Sequence, residues 1–263
     1  MAAMLLMSVG AFAQSGSSLK GDVNEDGKFD VADILEIVNI IMNGNNGDNG
    51  NNGNNGNNGD DNAPAGVEAV DLDLPSGTLW ANMNVGASKP EDYGDYFAWG
   101  ETTQQDRFIW ASYKWSQNGE GFQTKYCTDS NMGVNGFTDG KTVLDAEDDA
   151  ATANWGSGWC MPTKAQFVEL VRNTTSEWTT QNGVNGRKFT SNTNGKSIFL
   201  PAAGYYSNHG LDDDDSYGLY WSSTLSEYSS NSACHLYFLK WGVKTDYYDH
   251  RYYGYSVRPV RKN

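Results

Sequence analysis

Basic side chains, histidine and cysteine are scarce in this chain. Its 263 residues include 18 lysines and arginines, three histidines and three cysteines, against 33 aspartates and glutamates. The resulting net charge of -15 excludes a typical nucleic-acid-binding surface, because affinity for nucleic acid comes largely from lysine and arginine. For the same reason we expect neither nucleic acid nor an anionic membrane surface as a partner.

The three cysteines, Cys127, Cys160 and Cys234, lie far apart and lack the CxxC spacing of a zinc site. At most one disulfide can form among them. Cys160 with Cys234 is our preferred pair if the protein resides in an oxidising compartment, and three buried thiols without a disulfide is the alternative.

Long apolar runs are also missing. No stretch beyond the N-terminus approaches the roughly eighteen apolar residues of a membrane-spanning helix, so the sequence predicts no membrane span. Residues 1–13, MAAMLLMSVGAFA, are apolar and end in a small-x-small triplet, which is typical of a signal peptide. We therefore expect an exported protein that is secreted, periplasmic or held at the cell surface.

Signatures of catalysis are absent as well. No nucleophile elbow, HExxH motif, phosphate loop or paired-cysteine signature surrounds His209, His235 or His250. The clustered carboxylates of Asp148, Asp149 and Asp212 to Asp215 are, in so acidic a chain, more typical of a solvated face than of an acid–base pair. The sequence therefore favours a protein that is not an enzyme.

A low-complexity segment divides the chain. Residues 44–65 are dominated by an Asn-Asn-Gly repeat, which cannot bury enough apolar area to offset its backbone entropy. The repeat lacks proline, so a collagen triple helix is not expected. We predict a disordered linker between a small module at residues 20–43 and a larger domain at residues 66–263.

The small module begins with a calcium-binding pattern. Oxygen ligands at EF-hand spacing are offered by Asp22, Asn24, Asp26, Lys28 through its backbone carbonyl, Asp30 and Asp33. Gly27 stands at the position where the EF-hand loop turns sharply. These residues predict bound calcium, and the aspartate in the last ligand position resembles the loop of a dockerin repeat.

An apolar helix is predicted to follow the loop. Ile34, Ile37, Val38 and Ile41 recur at helical spacing within residues 31–43, and neighbouring apolar residues widen this face. Dockerins carry two such repeats that pack on each other, whereas this chain offers one. The helix is therefore expected to self-associate, to bind an unknown partner or to pack on the larger domain.

The larger domain combines short strand patterns with one clear helix signal. The strand candidates are Leu79-Trp80-Ala81, Tyr96-Phe97-Ala98-Trp99 and residues 197–201, 219–221, 235–238 and 255–258. Thr163 and Gln166 form a capping-box pattern before the apolar residues Phe167, Leu170 and Val171. This mixture predicts an α+β domain.

One known family shares several motifs with this domain. They include Tyr93-Gly-Asp-Tyr-Phe-Ala-Trp-Gly-Glu101, Trp155-Gly-Ser-Gly-Trp-Cys-Met-Pro-Thr163, Phe199-Leu-Pro-Ala-Ala-Gly204, Tyr220-Trp-Ser-Ser223 and Ser256-Val-Arg-Pro-Val260. Through them, residues 70–261 resemble the Fibrobacter succinogenes major paralogous domain. The resemblance implies a C-type-lectin-like α+β fold whose N- and C-terminal strands pair, and it implies little about function.

Tyrosine is concentrated near the C-terminus. Eleven of the fifteen tyrosines follow residue 204, and tyrosine offers binding surfaces a large rigid contact area together with a polar tip. Tyr220, Tyr237 and Tyr255 are expected in the core. The predicted ligand-binding residues are Tyr247, Tyr248, Asp249, His250, Tyr252 and Tyr253.

Two functions are consistent with these patterns. The favoured one is an exported binding or adhesion protein that recognises a glycan or protein ligand through the tyrosine-rich surface. The alternative is an accessory subunit of a polysaccharide-degrading assembly, docked through the dockerin-like repeat.

Overall fold

Strands dominate the part of the chain that the computed structural model describes, which is residues 62–117, 119 and 121–262. Each strand is short, and none exceeds nine residues in this part of the chain. In chain order they are β1 (Ala69–Asp71), β2 (Thr78–Ala81), β3 (Tyr96–Phe97), β4 (Ser116–Gln117), β5 (Phe122–Gln123), β6 (Thr174–Gln181), β7 (Val184–Ser191), β8 (Ser197–Pro201), β9 (Tyr205–Ser207), β10 (Gly210–Asp212), β11 (Tyr217–Leu225), β12 (Ser232–Leu239), β13 (Gly242–His250), β14 (Tyr255–Ser256) and β15 (Val260–Lys262).

Helices contribute little to the same region. The described residues form two α-helices, α1 (Ala150–Trp155) and α2 (Lys164–Asn173), and two single-turn 3-10 helices. The predicted capping box of α2 is confirmed, because Thr163 and Gln166 each bond the other's backbone N–H. Fifteen strands against two helices nevertheless make this a predominantly β structure, so the α+β prediction is wrong. The local helix signal was correct, but it applies to only ten residues.

A five-stranded sheet forms the centre of the domain, with the strand order β13-β12-β11-β14-β3. Two three-stranded sheets, β1-β2-β15 and β6-β7-β8, and two small hairpins, β4-β5 and β9-β10, complete the described architecture. All the named strand pairs are antiparallel except β11 with β14.

Both faces of the central sheet are covered. Tyr220, Leu236 and Phe238 point to one face, where they join a cluster with Phe167 and Leu170 of α2. The alternate residues, such as Trp221, join a second cluster that includes Trp99 and Trp155. Because side chains alternate along a strand and both faces are covered, β11 and β12 are buried almost continuously. Each strand contributes side chains to both clusters.

The strands at the two ends of this region meet in one sheet. β2 lies between β1 and β15, with Trp80 opposite Val260, and both of these residues are fully buried. The expected pairing of N- and C-terminal strands is therefore confirmed.

Several predictions concern residues outside the described part of the chain. These are the signal peptide (residues 1–13), the calcium loop and helix (residues 20–43) and all but the end of the linker (residues 44–65). No helix in the described residues is long and apolar enough to cross a bilayer. The structure forms no disulfide among Cys127, Cys160 and Cys234, so the preferred Cys160–Cys234 pairing is wrong. Cys127 and Cys234 are buried and Cys160 is exposed.

Candidate binding surface

The predicted ligand-binding residues lie on the edge strand of the central sheet and directly after it. β13 contributes Tyr247, Tyr248, Asp249 and His250, and the turn toward β14 contributes Tyr252 and Tyr253. Among the described strands β13 has one neighbour, β12, and most of its residues are exposed. The sheet edge therefore presents these side chains.

Tyr247 and Tyr248 point to opposite faces of the sheet. Tyr247 lies opposite His235 in the strand register and Tyr248 lies opposite Cys234, so successive side chains alternate as they do in any strand. The two tyrosines are 46% and 44% exposed. The ring of Tyr248 contacts Tyr228, at 5.1 Å between ring centroids, instead of the other predicted residues. The structure thus separates Tyr248 from the rest of the predicted site.

Three tyrosines stack across neighbouring strands on the face that carries Tyr247. The rings of Tyr247 and Tyr237 are 5.1 Å apart and inclined by 17°. Tyr237 stacks in turn on Tyr217, at 5.7 Å and 29°. We call Tyr217, Tyr237 and Tyr247 the tyrosine column. Because Tyr237 covers only one side of Tyr247, the column ends in an accessible ring at the edge of the sheet.

A second aromatic group lies beside the column. His250 stacks on Tyr252 at 5.6 Å and 18°, and Tyr252 lies 4.5 Å from Tyr253. Trp110 meets Tyr252 edge-on at 4.9 Å, and Tyr205 meets Tyr253 edge-on at 5.7 Å. We call these five residues the aromatic cluster. The structure therefore brings three of the predicted residues together with two that were not predicted.

Buried groups join the column to the cluster. Tyr255 runs parallel to Tyr253, at 6.2 Å and 7°, and stacks closely on Trp221 at 4.2 Å. Its hydroxyl donates a hydrogen bond of 2.8 Å to Asp249 Oδ2. Burial raises the pKa of the Asp249 carboxyl, while this hydrogen bond acts in the opposite direction. Asp249 is thus the one predicted carboxylate that the surface holds in a fixed position.

His235 lies beneath the surface, between Tyr247 and Tyr255, and is 1% exposed. Neither ring nitrogen makes a hydrogen bond of normal geometry, and Nε2 lies 3.8 Å from Asp249 Oδ2. Desolvation by burial lowers the pKa of His235 to about 3, because the charged imidazolium would lose its hydration. The ring is therefore neutral at physiological pH and acts as packing.

Arg251 interrupts the exposed run. Its guanidinium is fully buried and donates to the Tyr113 hydroxyl at 2.7 Å and to the carbonyl oxygen of Ser230 at 3.0 Å. It also lies over the Trp99 ring, 4.8 Å from the centroid. Arg251 consequently anchors the turn that displays Tyr252 and Tyr253, and it is not available to a ligand.

Sequence reasoning missed part of this surface. Tyr220 and Tyr255 are buried, which confirms their assignment to the core, whereas Tyr237 is only half-buried and belongs to the column. Tyr217 and Tyr205 were not singled out. Tyr217 lies two residues before Leu219 on β11, and Tyr237 lies two residues after His235 on β12. Because side chains alternate along a strand, each pair shares a face, and this alternation was the available signal. The strand register needed to use it was unknown.

The described residues contain one acidic group close enough to hold a metal ion, formed by Asp145, Glu147 and Asp148. The Lys125 ammonium lies 2.9, 2.8 and 2.6 Å from these three carboxylates in the same order. Lys125 thus supplies the positive charge that a cation would bring, and the group is accounted for as an ion-pair network. The predicted calcium ligands between residues 22 and 33 lie outside the described residues.

One family model matches part of the chain. A family described as a domain of unknown function, DUF8237, matches residues 168–260, about a third of the chain. The matched residues include β11 to β14 and all six predicted ligand-binding residues. No curated protein and no solved structure matches the chain. The resemblance to the Fibrobacter paralogous domain and to dockerin repeats therefore stays a prediction.

Proposed function

We propose that this protein is an exported, non-catalytic binding protein that holds a glycan against the tyrosine column and the aromatic cluster. The observation that supports this most directly is the tyrosine column, which ends in the exposed ring of Tyr247 and is linked to the aromatic cluster through the buried rings of His235 and Tyr255. The predicted calcium loop at residues 22–33 belongs to the proposal as a separate module.

The chemistry of this surface matches that of a sugar. A pyranose ring offers a face of C–H groups and a rim of hydroxyls. Aromatic rings pack on the first, while tyrosine hydroxyls and the Asp249 carboxyl can exchange hydrogen bonds with the second. Stacking also holds Tyr237 and Tyr247 in place before binding, so little side-chain entropy remains to be lost.

The negative charge of the protein disfavours anionic glycans as ligands. Asp246 and Asp249 lie on the edge strand, and the whole chain carries a net charge of -15. A polyanionic sugar would be repelled by this field, because Lys244 is the one lysine or arginine on the strand beside the two aspartates. The proposal is therefore specific to neutral glycans.

Two adjacent tyrosines provide a matched test. Affinity electrophoresis would use gels that contain xyloglucan, mixed-linkage β-glucan or galactomannan, with polygalacturonate as the anionic polymer. We expect at least one neutral polymer to retard the protein and polygalacturonate not to do so. Tyr247→Ala should weaken the retardation about tenfold, as expected for loss of a central aromatic contact.

Tyr248→Ala is the control, because Tyr248 is on the same strand and equally exposed but faces away from the column. It should change the retardation by less than about twofold, within the range of peripheral positions. Equal effects of the two substitutions, or no retardation of the parent protein by any neutral polymer, would contradict the proposal.

A further inference from the structure

A groove with a volume of about 1030 Å³ lies next to the tyrosine column. Its walls include Trp178 from β6, Tyr217 from β11 and Trp241 from the turn between β12 and β13. The volume is just above the range of roughly 300–1,000 Å³ that is typical of small-ligand sites. Unlike the aromatic cluster, this groove contains none of the residues that the sequence predicted to bind ligand.

Trp241 is the most exposed aromatic side chain in the described residues, at 85%. The Lys240 ammonium lies near one side of its ring, 5.4 Å from the centroid. Burying a tryptophan side chain is among the largest hydrophobic contributions to folding, and Trp241 does not make this contribution because it stays exposed. An indole presented in this way is suited to packing against a ligand.

A buried arginine forms hydrogen bonds with the backbone of the turn that carries Trp241. Arg187 of β7 is 5% exposed and donates to the carbonyl oxygens of Leu239 at 2.8 Å and of Lys240 at 3.3 Å. These bonds fix the backbone on the N-terminal side of Trp241. The backbone that carries the indole is therefore held in place, which lowers the backbone entropy lost when a ligand binds.

The opposite rim is acidic and equally fixed. Asp213 and Asp215 adopt left-handed backbone angles, with φ of 55° and 62°, which aspartate tolerates better than most residues. The Asp213 carbonyl accepts from the Tyr217 N–H at 3.0 Å, and the Asp215 carboxylate accepts from the Asn185 N–H at 3.2 Å. Two carboxylates and an amide side chain thus line a groove whose aromatic walls offer apolar faces.

The groove and the tyrosine column are continuous, because Tyr217 lines the first and belongs to the second. Stacked rings therefore run from Tyr247 at the sheet edge, across β12, to Tyr217 on β11, which lines the same groove as Trp178 and Trp241. We propose that the groove is a second subsite for a linear neutral polysaccharide, so that the protein binds internal segments of the chain rather than single terminal sugars. This inference rests on the proposed function.

The charges of the residues that line the groove favour uncharged sugars. Asp213 and Asp215 face one basic side chain among the lining residues, Lys240. A uronic acid unit would meet excess negative charge there, whereas neutral hydroxyls can donate to both carboxylates. Alternating hydrogen-bonding groups and ring faces along one path fit a repeating sugar chain.

The length of the ligand provides the test. Titration calorimetry would measure disaccharides and hexasaccharides of the cello-, xylo- and manno- series against the full-length protein. We expect the parent to bind the hexasaccharide of one series at least about tenfold more tightly than the disaccharide, because only the longer chain reaches both subsites. Trp241→Ala should remove about that factor for the hexasaccharide and leave the disaccharide unchanged.

Tyr228→Ala is the control, since Tyr228 is 68% exposed and contacts Tyr248 on the opposite face. It should leave both affinities unchanged. The inference is overturned if Trp241→Ala does not weaken hexasaccharide binding, or if the parent binds both lengths equally. In that case Tyr247→Ala still reports on the proposed function, because it should weaken both lengths.

The opposite pattern of effects would support the groove and contradict the role of the tyrosine column. If Trp241→Ala abolishes binding while Tyr247→Ala has no effect, the groove binds sugar and the column does not. Binding of no oligosaccharide from any series would overturn both proposals.

Discussion

Replacing His235 with leucine should change how the stability of the protein depends on pH. In the folded state, burial lowers the pKa of His235 from 6.5 to about 3. In the unfolded chain the imidazole returns to a pKa near 6.5. Between these values the unfolded state binds more protons than the folded state does, so acidification destabilises the fold. The contribution is small above pH 6.5 and grows as the pH falls toward 3.

The magnitude follows from the two pKa values. Lowering the pH from 7 to 5 should remove about 2 kcal/mol of stability through His235 alone, since one pKa unit is worth about 1.4 kcal/mol. Leucine does not titrate, has a similar volume and leaves no ring nitrogens without hydrogen bonds. The free energy of unfolding of His235→Leu minus that of the parent should therefore rise by about 2 kcal/mol over this interval.

The difference between the two proteins must be measured, because another group opposes His235. Burial raises the pKa of Glu101 to about 7, so Glu101 favours the folded state as the pH falls. Glu101 is common to both proteins, and its contribution cancels in the difference. A nearly flat profile of the parent alone would therefore carry no information about His235.

Urea unfolding followed by tryptophan fluorescence at pH 7 and pH 5 is a suitable assay. All nine tryptophans lie between residues 80 and 241, so the signal reports on the domain that contains His235. Leu219→Val is the matched control, because Leu219 lies on β11, beside the strand that carries His235. This substitution should lower the free energy of unfolding by about 1 kcal/mol at either pH. A difference between His235→Leu and the parent that does not vary with pH would refute the reasoning.

Two further predictions concern packing and calcium. Gly218→Ala should destabilise the domain by about 3 kcal/mol in the same unfolding assay, because a Cβ there would lie 2.0 Å from the buried Phe238 ring. Gly242→Ala, which meets nothing within 4 Å, should have little effect, and equal losses would contradict the packing argument. The double change Asp22→Ala and Asp26→Ala should abolish calcium uptake in calorimetry, because it removes two predicted ligands, without shifting the unfolding of the larger domain. Absence of calcium uptake by the parent would contradict the loop prediction.

Local signals in the sequence were sufficient for some elements. The capping box at Thr163 and Gln166 and the apolar triplet Leu79-Trp80-Ala81 depend on neighbouring residues, and both elements form as predicted. The hairpin of β6 and β7 was missed because its strands are rich in Thr, Ser and Asn instead of alternating apolar residues. The Asn182-Gly183 turn, with φ of 49° and 90°, was the signal that could have revealed it. Missing such polar strands is what made the fold class wrong.

The binding surface depends on information that is not local. Tyr247 and Tyr248 are adjacent in sequence, and only the pairing of β13 with β12 decides which of them joins the column. Arg251 is buried by Tyr113 and by the backbone around Lys125, each more than a hundred residues away. Trp241 forms part of a groove only through residues of β6, β7 and β11, which are distant in the sequence. Residue composition therefore indicated a tyrosine-rich region, while the contacts between distant strands decide which of its side chains share a face.

The pairing of β2 with β15 also bears on how fast the domain folds. Trp80 and Val260 face each other across about 180 residues of intervening chain, and closing a flexible loop of that length costs about 5 kcal/mol of entropy before any contact rewards it. High contact order of this kind slows folding. Until β15 arrives, β2 retains an unpaired edge and the apolar side chain of Trp80 lacks part of its cover. Intermediates with that exposed edge are the species most prone to associate, so dilute conditions and ample time favour refolding of this domain.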